Sequence, residues 1–133
     1  MQPHLEPELW VENTAVAIDF YERAFGAAVE HRVGGPRDPD GVAALSIAGA
    51  RFWVSASSEA MGRFSASAIG GATRRTLLVL EDPRAATERF RAAGGTLLSE
   101  VGLEHGWLLG RVRDPFGHEW EIGRPLDAWP PPG

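Results

Sequence analysis

The segment Glu12–Ala27, ENTAVAIDFYERAFGA, decides the fold because a related segment occurs again at Glu81–Thr96, EDPRAATERFRAAGGT. The second copy lies 69 positions after the first (81 − 12 = 69). This offset pairs Ala17 with Ala86, Tyr21 with Phe90, Ala24 with Ala93 and Gly26 with Gly95. A repeated segment of this length indicates that the chain contains two copies of one structural unit.

Each copy has the start and the end of an amphipathic helix. Asp82 and Pro83 are typical of an N-cap followed by the first helical residue, and Asn13 is the matching cap in the first copy. The apolar residues between them recur at helical spacing on one face. Gly26 and the pair Gly94–Gly95 are expected to end the two helices, where a left-handed residue is favoured.

Strands are predicted before and after each helix. In the first copy the helix is followed by predicted strands at 28–33, 42–48 and 51–56, and in the second at 96–99, 107–113 and 118–122. The predicted fold is therefore α+β, with two βαβββ modules. The expected domain limits are residues 1–60 for the first module, 61–72 for a linker that can act as a lid, 73–125 for the second module and 126–133 for a Pro-rich tail.

Composition narrows the classes of function. The chain has 133 residues, no cysteine, a formal net charge of −5 and no basic stripe, so we expect no disulfide and no nucleic-acid partner. No apolar run approaches the roughly 18 residues that a membrane helix needs, and the first residues lack the features of a signal peptide. We therefore expect a cytoplasmic protein with no membrane partner.

Two segments resemble the vicinal oxygen chelate superfamily, which includes glyoxalase I, extradiol dioxygenases and bleomycin resistance proteins. They are Phe20–Ala27, FYERAFGA, and Arg111–Gly123, RVRDPFGHEWEIG. The resemblance covers residues 4 to 125 and is strongest to the small glyoxalase/bleomycin-resistance-like members. It implies paired βαβββ modules whose sheets form a cup, a divalent metal ion in the cup of the enzymes, and a homodimer.

The resemblance also implies four candidate metal positions, on the first and last strand of each module. The first-strand position lies five residues before the apolar residue that ends the strand, Val11 or Leu80, which gives Glu6 and Arg75. The last-strand position lies four residues after the turn glycine, Gly49 or Gly117, which gives Trp53 and Glu121. Of these, only Glu6 and Glu121 can bind a hard cation, because tryptophan offers no suitable donor and arginine stays protonated. We therefore expect no cofactor, with a divalent metal ion bound by Glu6 and Glu121 as the alternative.

Alternation along the strands predicts which other side chains share the cup with these positions. The candidate ligand-binding residues are Glu6, Glu8, Trp10, Trp53, Arg75, Leu77, Trp107, Glu119 and Glu121. In the same cup Arg75 is expected to neutralise both Glu6 and Glu121, in the place that a metal ion holds in relatives.

Structural roles for the same residues stay open at this point. Trp10 and Trp53 are also typical of residues in a hydrophobic core or a dimer interface. Glu8 and Glu119 are also typical of solvated residues at the rim of the cup. Trp107 suits either the mouth of the cavity or a subunit boundary.

The favoured function is a metal-free binding protein of the bleomycin-resistance type, in which tryptophan faces hold a hydrophobic or aromatic natural product or antibiotic. The alternative is an enzyme: a metal-dependent glyoxalase-like lyase, isomerase or dioxygenase, or a metal-free enzyme. In the latter, Glu121 is the candidate base, as a carboxylate beside apolar walls. A third possibility is a domain that only associates with other chains.

Overall fold

The computed structural model describes residues 1–132, and in them the β-α-β-β-β unit occurs twice, as predicted. The first module consists of β1 (Glu8–Val11), α1 (Thr14–Phe25), β2 (Ala28–Val33), β3 (Val42–Ile47) and β4 (Ala50–Ala56). A 3₁₀ turn (Glu59–Met61) and the short helix α2 (Ala66–Ile69) follow. The second module consists of β5 (Arg75–Val79), α3 (Pro83–Ala92), β6 (Thr96–Glu104), β7 (Trp107–Arg113) and β8 (Glu119–Pro125).

Both long helices begin at the predicted caps. The Asn13 side chain accepts a hydrogen bond from the backbone N–H of Val16 (3.1 Å), and the Asp82 side chain accepts one from Ala85 (3.1 Å). These bonds satisfy amide groups that have no partner inside the helix. Helix α1 ends at Gly26, whose φ of 66° is left-handed, as expected.

The end of α3 differs from the prediction. The left-handed residue is Gly94, with φ of 115°, whereas Gly95 is needed for space. A Cβ at position 95 would lie 2.1 Å from Cε1 of the buried Phe90 ring. The two glycines are therefore needed for different reasons: Gly94 for its left-handed backbone and Gly95 because a side chain would clash. A sequence pattern does not distinguish these reasons.

Each module forms a four-stranded mixed sheet of the same topology. The strand orders are β1-β4-β3-β2 and β5-β8-β7-β6, and in each sheet the first and last strands of the module are parallel neighbours. The register places Glu8 opposite Trp53 and Arg75 opposite Glu119. The parallel strand pairs β1–β4 and β5–β8 therefore occupy the same place in the two sheets.

One hydrophobic core is shared by both modules. The helix-facing side of the second sheet contributes Trp120, which packs against Tyr21 and Phe25 of α1 and against Phe52 of β4 at a ring distance of 5.4 Å. Burying an aromatic side chain of this size stabilises the fold by about 2 kcal/mol or more. Because both helix-facing sides meet in this core, the opposite side of each sheet is left open. We call these sides the first and the second open face.

A buried carboxylate links the two modules across this core. Asp114 accepts hydrogen bonds from the Tyr21 hydroxyl of α1 and from Nε1 of Trp120 (3.0 Å), as well as from the backbone N–H of Phe116 and His118. Burial raises the pKa of Asp114 and of Tyr21 above their ordinary values. These four hydrogen bonds compensate the desolvation of the carboxyl group and fix the turn that precedes β8.

Two segments depart from the predicted pattern. Strand β6 extends to Glu104 instead of ending at residue 99, because irregular pairing between Leu97 and Gly102 breaks the alternation that marks a strand. The linker is ordered: Ser65 caps α2 by accepting from the backbone N–H of Ala68, and Ala66 is buried. None of the helices in residues 1–132 has the length and apolarity needed to cross a bilayer.

Candidate ligand-binding site

Glu6 lies just before β1, on the first open face, in contact with Trp53 of β4. Its carboxylate accepts hydrogen bonds from Nε1 of Trp53 (2.8 Å), from the His4 ring and from Arg51 (3.4 Å). Arg51 also pairs with Glu30 on β2 at 2.6 Å. The hydrogen bonds from His4 and Trp53 lower the pKa of Glu6, so this carboxylate is charged and fully engaged at neutral pH.

The second open face carries a ladder of alternating charges. Arg111 on β7 makes two hydrogen bonds to Glu104 (2.8 and 3.0 Å) and one to Glu121 (3.1 Å). Arg75 on β5 lies 3.4 Å from Glu119 and 3.8 Å from Glu121. Every acidic group of this ladder thus has an arginine partner, and these pairs are only partly exposed.

The four candidate metal positions fall into two separate pairs. Glu6 contacts Trp53 on the first open face, and Arg75 contacts Glu121 on the second. The expectation that Arg75 neutralises both Glu6 and Glu121 is wrong for Glu6. Among residues 1–132, the ion-pair partners of Glu6 are His4 and Arg51, whereas those of Arg75 are Glu119 and Glu121. The two pairs lie on two different sheets, whose helix-facing sides are both buried in the shared core.

The surroundings of Glu121 also differ from the expected apolar pocket. Its side chain is 22% exposed and lies between the guanidinium groups of Arg111 and Arg75. Both guanidinium groups approach the same carboxylate oxygen, Oε2, which a substrate proton would have to reach. The role of a general base suits Glu121 less than the sequence suggested.

The donor groups do not fit the metal ion that the family resemblance implies. Within residues 1–132, no three His, Cys, Asp or Glu side chains come together in a way that could hold a metal ion. The two candidate carboxylates are already bound to arginines, and Arg75 and Trp53 stand beside them. A divalent cation placed here would have to displace these guanidinium groups.

A cleft of about 320 Å³ opens between β1 and the linker. Its walls are formed by Glu8, Trp10, Phe64, Ala66, Ile69, Gly71, Ala72, Thr73, Arg74 and His118. Phe64 is 49% exposed and Ile69 is 52% exposed, and both belong to the linker. The linker therefore borders the first open face beside Trp10.

Two side chains of the second module close the free edge of β1 next to this cleft. Arg74 donates to the backbone oxygen of Glu8 (2.7 Å), and the His118 ring is 2.8 Å from the backbone oxygen of Trp10. Trp10 in turn donates from Nε1 to the Glu8 carboxylate (3.1 Å). Trp10 is thus partly buried at the cleft wall and does not belong to the central core.

Eight of the ten residues that line the cleft were absent from the candidate set, and Phe64, Ile69, Arg74 and His118 are the largest of them. Large apolar residues in an otherwise small and polar linker were the available signal for Phe64 and Ile69. His118 approaches Trp10 across 108 positions of sequence, a contact for which the sequence holds no local signal.

Trp107 and Leu77 lie on the second open face, away from this cleft. The Trp107 ring contacts that of Trp129 in the tail, at a distance of 5.0 Å between ring centres. Leu77 on β5 is 47% exposed. The tail residue Gly133 lies outside the described residues.

Comparisons with known proteins agree with this architecture. Residues 2–122 match the Glyoxalase/Bleomycin resistance protein/Dioxygenase superfamily. The chain is 35% identical over 130 residues to the uncharacterised protein Rv0887c of Mycobacterium tuberculosis, an alignment that covers 95% of this chain and 76% of that protein.

Solved structures share the fold over nearly the whole chain. TioX from Micromonospora sp. ML1 is 26% identical, with a TM-score of 0.72 over 95% of this chain and 98% of its own. The fosfomycin resistance protein FosX from Listeria monocytogenes, solved with Mn(II) and a dihydroxypropylphosphonic acid, is 16% identical. It has a TM-score of 0.69 over 97% of this chain and 94% of its own, and at this identity it supports the fold alone.

Proposed function

This chain belongs to the Glyoxalase/Bleomycin resistance protein/Dioxygenase superfamily, and from that premise we propose that it is a metal-free binding protein for a small organic molecule. The ligand class is a hydrophobic or aromatic natural product or antibiotic, bound stoichiometrically as in bleomycin resistance proteins. One observation carries the proposal: arginine and tryptophan occupy and engage the positions at which enzymes of this family bind a metal ion.

The cleft beside β1 supports an organic ligand. Its volume of about 320 Å³ is at the lower end of the range for small-molecule sites. Trp10, Phe64 and Ile69 offer apolar walls, and the first two offer aromatic faces for a planar molecule. The exposed linker side chains Phe64 and Ile69 gain buried area when a ligand enters.

A homodimer completes the proposed site. Each chain presents Glu6 and Trp53 on one open face and Arg75 and Glu121 on the other, with the shared core between them. In a two-fold symmetric dimer, the first open face of one chain meets the second open face of its partner. The symmetry repeats this contact, so the dimer contains two equivalent sites. The exposed apolar residues Leu77 and Val79 on β5 are then covered. We place this dimer in the cytoplasm.

Tryptophan fluorescence tests the binding function. We expect planar aromatic natural products to quench the emission of the chelator-treated protein in a saturable way, because the ligand stacks on Trp10. Because Trp10→Ala lacks the quenched indole, its affinity is measured by isothermal titration calorimetry; it should be weaker by roughly tenfold or more, as expected for loss of one stacked aromatic contact at a site. The variant Val16→Ala, on the exposed side of α1, serves as the control.

Two results would contradict the proposal. One is the lack of saturable quenching by any planar compound. The other is turnover of a compound by the purified protein, which would favour the enzyme.

A further inference from the structure

The cleft beside β1 holds two charged groups that the chain leaves without an ion-pair partner. Most arginines and acidic residues on the open faces are paired, as in the ladder of Arg75, Arg111, Glu119 and Glu121. Among residues 1–132, by contrast, neither Glu8 nor Arg74 takes part in any ion pair. Both line the same cleft.

Local contacts hold these two groups in place. The Glu8 carboxylate accepts a hydrogen bond from Nε1 of Trp10, and the Arg74 guanidinium donates to the backbone oxygen of Glu8. Each of these contacts uses only part of the hydrogen-bonding capacity of its charged group, since a carboxylate has about four acceptor positions and a guanidinium has five N–H donors. Capacity for a ligand remains at both charges.

Apolar side chains line the same cleft as the two charges. Trp10 and Phe64 supply aromatic faces, and Ile69 supplies an aliphatic surface. A tryptophan face adjoining a carboxylate attracts an ammonium group, both by charge and by cation–π interaction. A guanidinium suits a carboxylate, to which it donates two hydrogen bonds.

We propose that this cleft selects an aromatic zwitterion: a planar ring system that bears an ammonium group, placed at Glu8, and a carboxylate, placed at Arg74. The proposal rests on the proposed binding function and specifies its ligand class. A neutral planar compound meets the same walls but leaves both charges of the cleft unpaired, so it binds more weakly.

Four indole compounds of matched shape test the proposal, with affinities measured by isothermal titration calorimetry at low ionic strength. Tryptophan is the zwitterion, tryptamine the cation, indole-3-propionate the anion and 3-methylindole the neutral compound. We expect tryptophan to bind most tightly, with each matched charge contributing up to about fivefold, as measured for exposed ion pairs.

Variants assign each charge to its residue. Glu8→Gln should weaken tryptophan and tryptamine by about fivefold and leave indole-3-propionate unchanged. Arg74→Gln should weaken tryptophan and indole-3-propionate, while Arg74→Lys, which retains the charge, should weaken them less. Glu22→Gln and Arg37→Gln remove exposed charges that do not line the cleft and should leave all four affinities unchanged.

The outcomes separate this proposal from the function on which it rests. The zwitterion class is overturned if all four compounds bind equally, if none of them binds, or if Glu8→Gln weakens all of them alike. The binding function is decided separately, by the wider panel of planar compounds. If a compound of that panel quenches the fluorescence in a saturable way, and its affinity is the same in the Glu8 and Arg74 variants, the binding function is retained and the zwitterion class is rejected.

Discussion

At the scale of single residues, the surroundings of Glu6 separate the contacts that the sequence predicts from those that it does not. Sequence counting placed Glu6 correctly beside Trp53, because the parallel register of β1 and β4 is repeated in the second module. The counting did not reveal His4, Arg51 and Glu30 around it. These contacts depend on rotamers and on the bulge in β2, which no spacing encodes.

The contact between His4 and Glu6 predicts a measurable pH effect. The hydrogen bond to Glu6 raises the pKa of the His4 imidazole above 6.5. A raised pKa in the folded state means that this contact stabilises the fold below about pH 6.5, as long as Glu6 stays charged, and loses its effect as the pH rises through the raised value. In Glu6→Gln, the imidazole should titrate closer to 6.5. A proton NMR titration of the four histidines measures it.

The control for that titration is Glu22→Gln, which carries the same change of charge on an exposed position of α1. It should leave the pKa of His4 at its wild-type value. An identical His4 titration in wild type and Glu6→Gln would show that the imidazole and this carboxylate do not interact in solution.

At the scale of elements, helices and most strands follow from local sequence, whereas the ends and irregular segments do not. Strand β2 lies at 28–33 as predicted, since its length and its flanking turns are locally defined. Strand β6 was predicted too short because its bulges disturb the alternation. The linker helix α2 depends on the capping Ser65 and the burial of Ala66, and burial is a tertiary effect.

The packing of α3 against β6 gives a prediction at this scale. Replacing Gly95 by alanine would place a methyl group 2.1 Å from the Phe90 ring, which is buried and contacts Phe20 and Phe25. Because the aromatic cluster leaves the ring little room, Gly95→Ala should lower the free energy of unfolding by about 1–3 kcal/mol. Urea denaturation monitored by circular dichroism measures it.

Gly35→Ala is the matched control, because nothing lies within 4 Å of a Cβ at that position. Its stability should equal that of the wild type or exceed it slightly, since alanine restricts the unfolded chain. If Gly95→Ala were as stable as Gly35→Ala, the proposed contact with Phe90 would be wrong.

At the scale of the whole molecule, the repeat correctly predicted two modules, and the resemblance predicted their family. Neither predicted where the two open faces point. That arrangement is set by contacts such as the one between Trp120 and Phe52, which join residues from different modules in one core. The candidate quartet was assigned position by position from the sequence, whereas its division into two pairs required the structure.

The proposed dimer predicts subunit complementation. Trp10→Ala alters the first open face, and Glu121→Ala alters the second. In a heterodimer of the two variants, one site receives both changes and the other receives neither, so about half of the sites should recover wild-type affinity. Differently tagged subunits, purified together and titrated with a planar ligand, measure this fraction.

Recovery would show that each site is built from two chains, because no single chain in the mixture is unaltered. Homodimers of either variant, measured in parallel, give the affinities of the altered sites. Complete absence of wild-type sites in the heterodimer, or a monomer by analytical ultracentrifugation, would contradict the shared site.

We propose that guanidinium and indole groups stand at the positions of a metal ion, so that an organic ligand binds without one. The most direct measurement is the dissociation constant of one planar aromatic ligand in chelator and again with Mn²⁺, Ni²⁺ or Zn²⁺ added, with metal content determined in parallel. We predict the same constant in every condition and no stoichiometric metal. Binding that requires one metal ion per site and is abolished by Glu121→Gln would contradict the account.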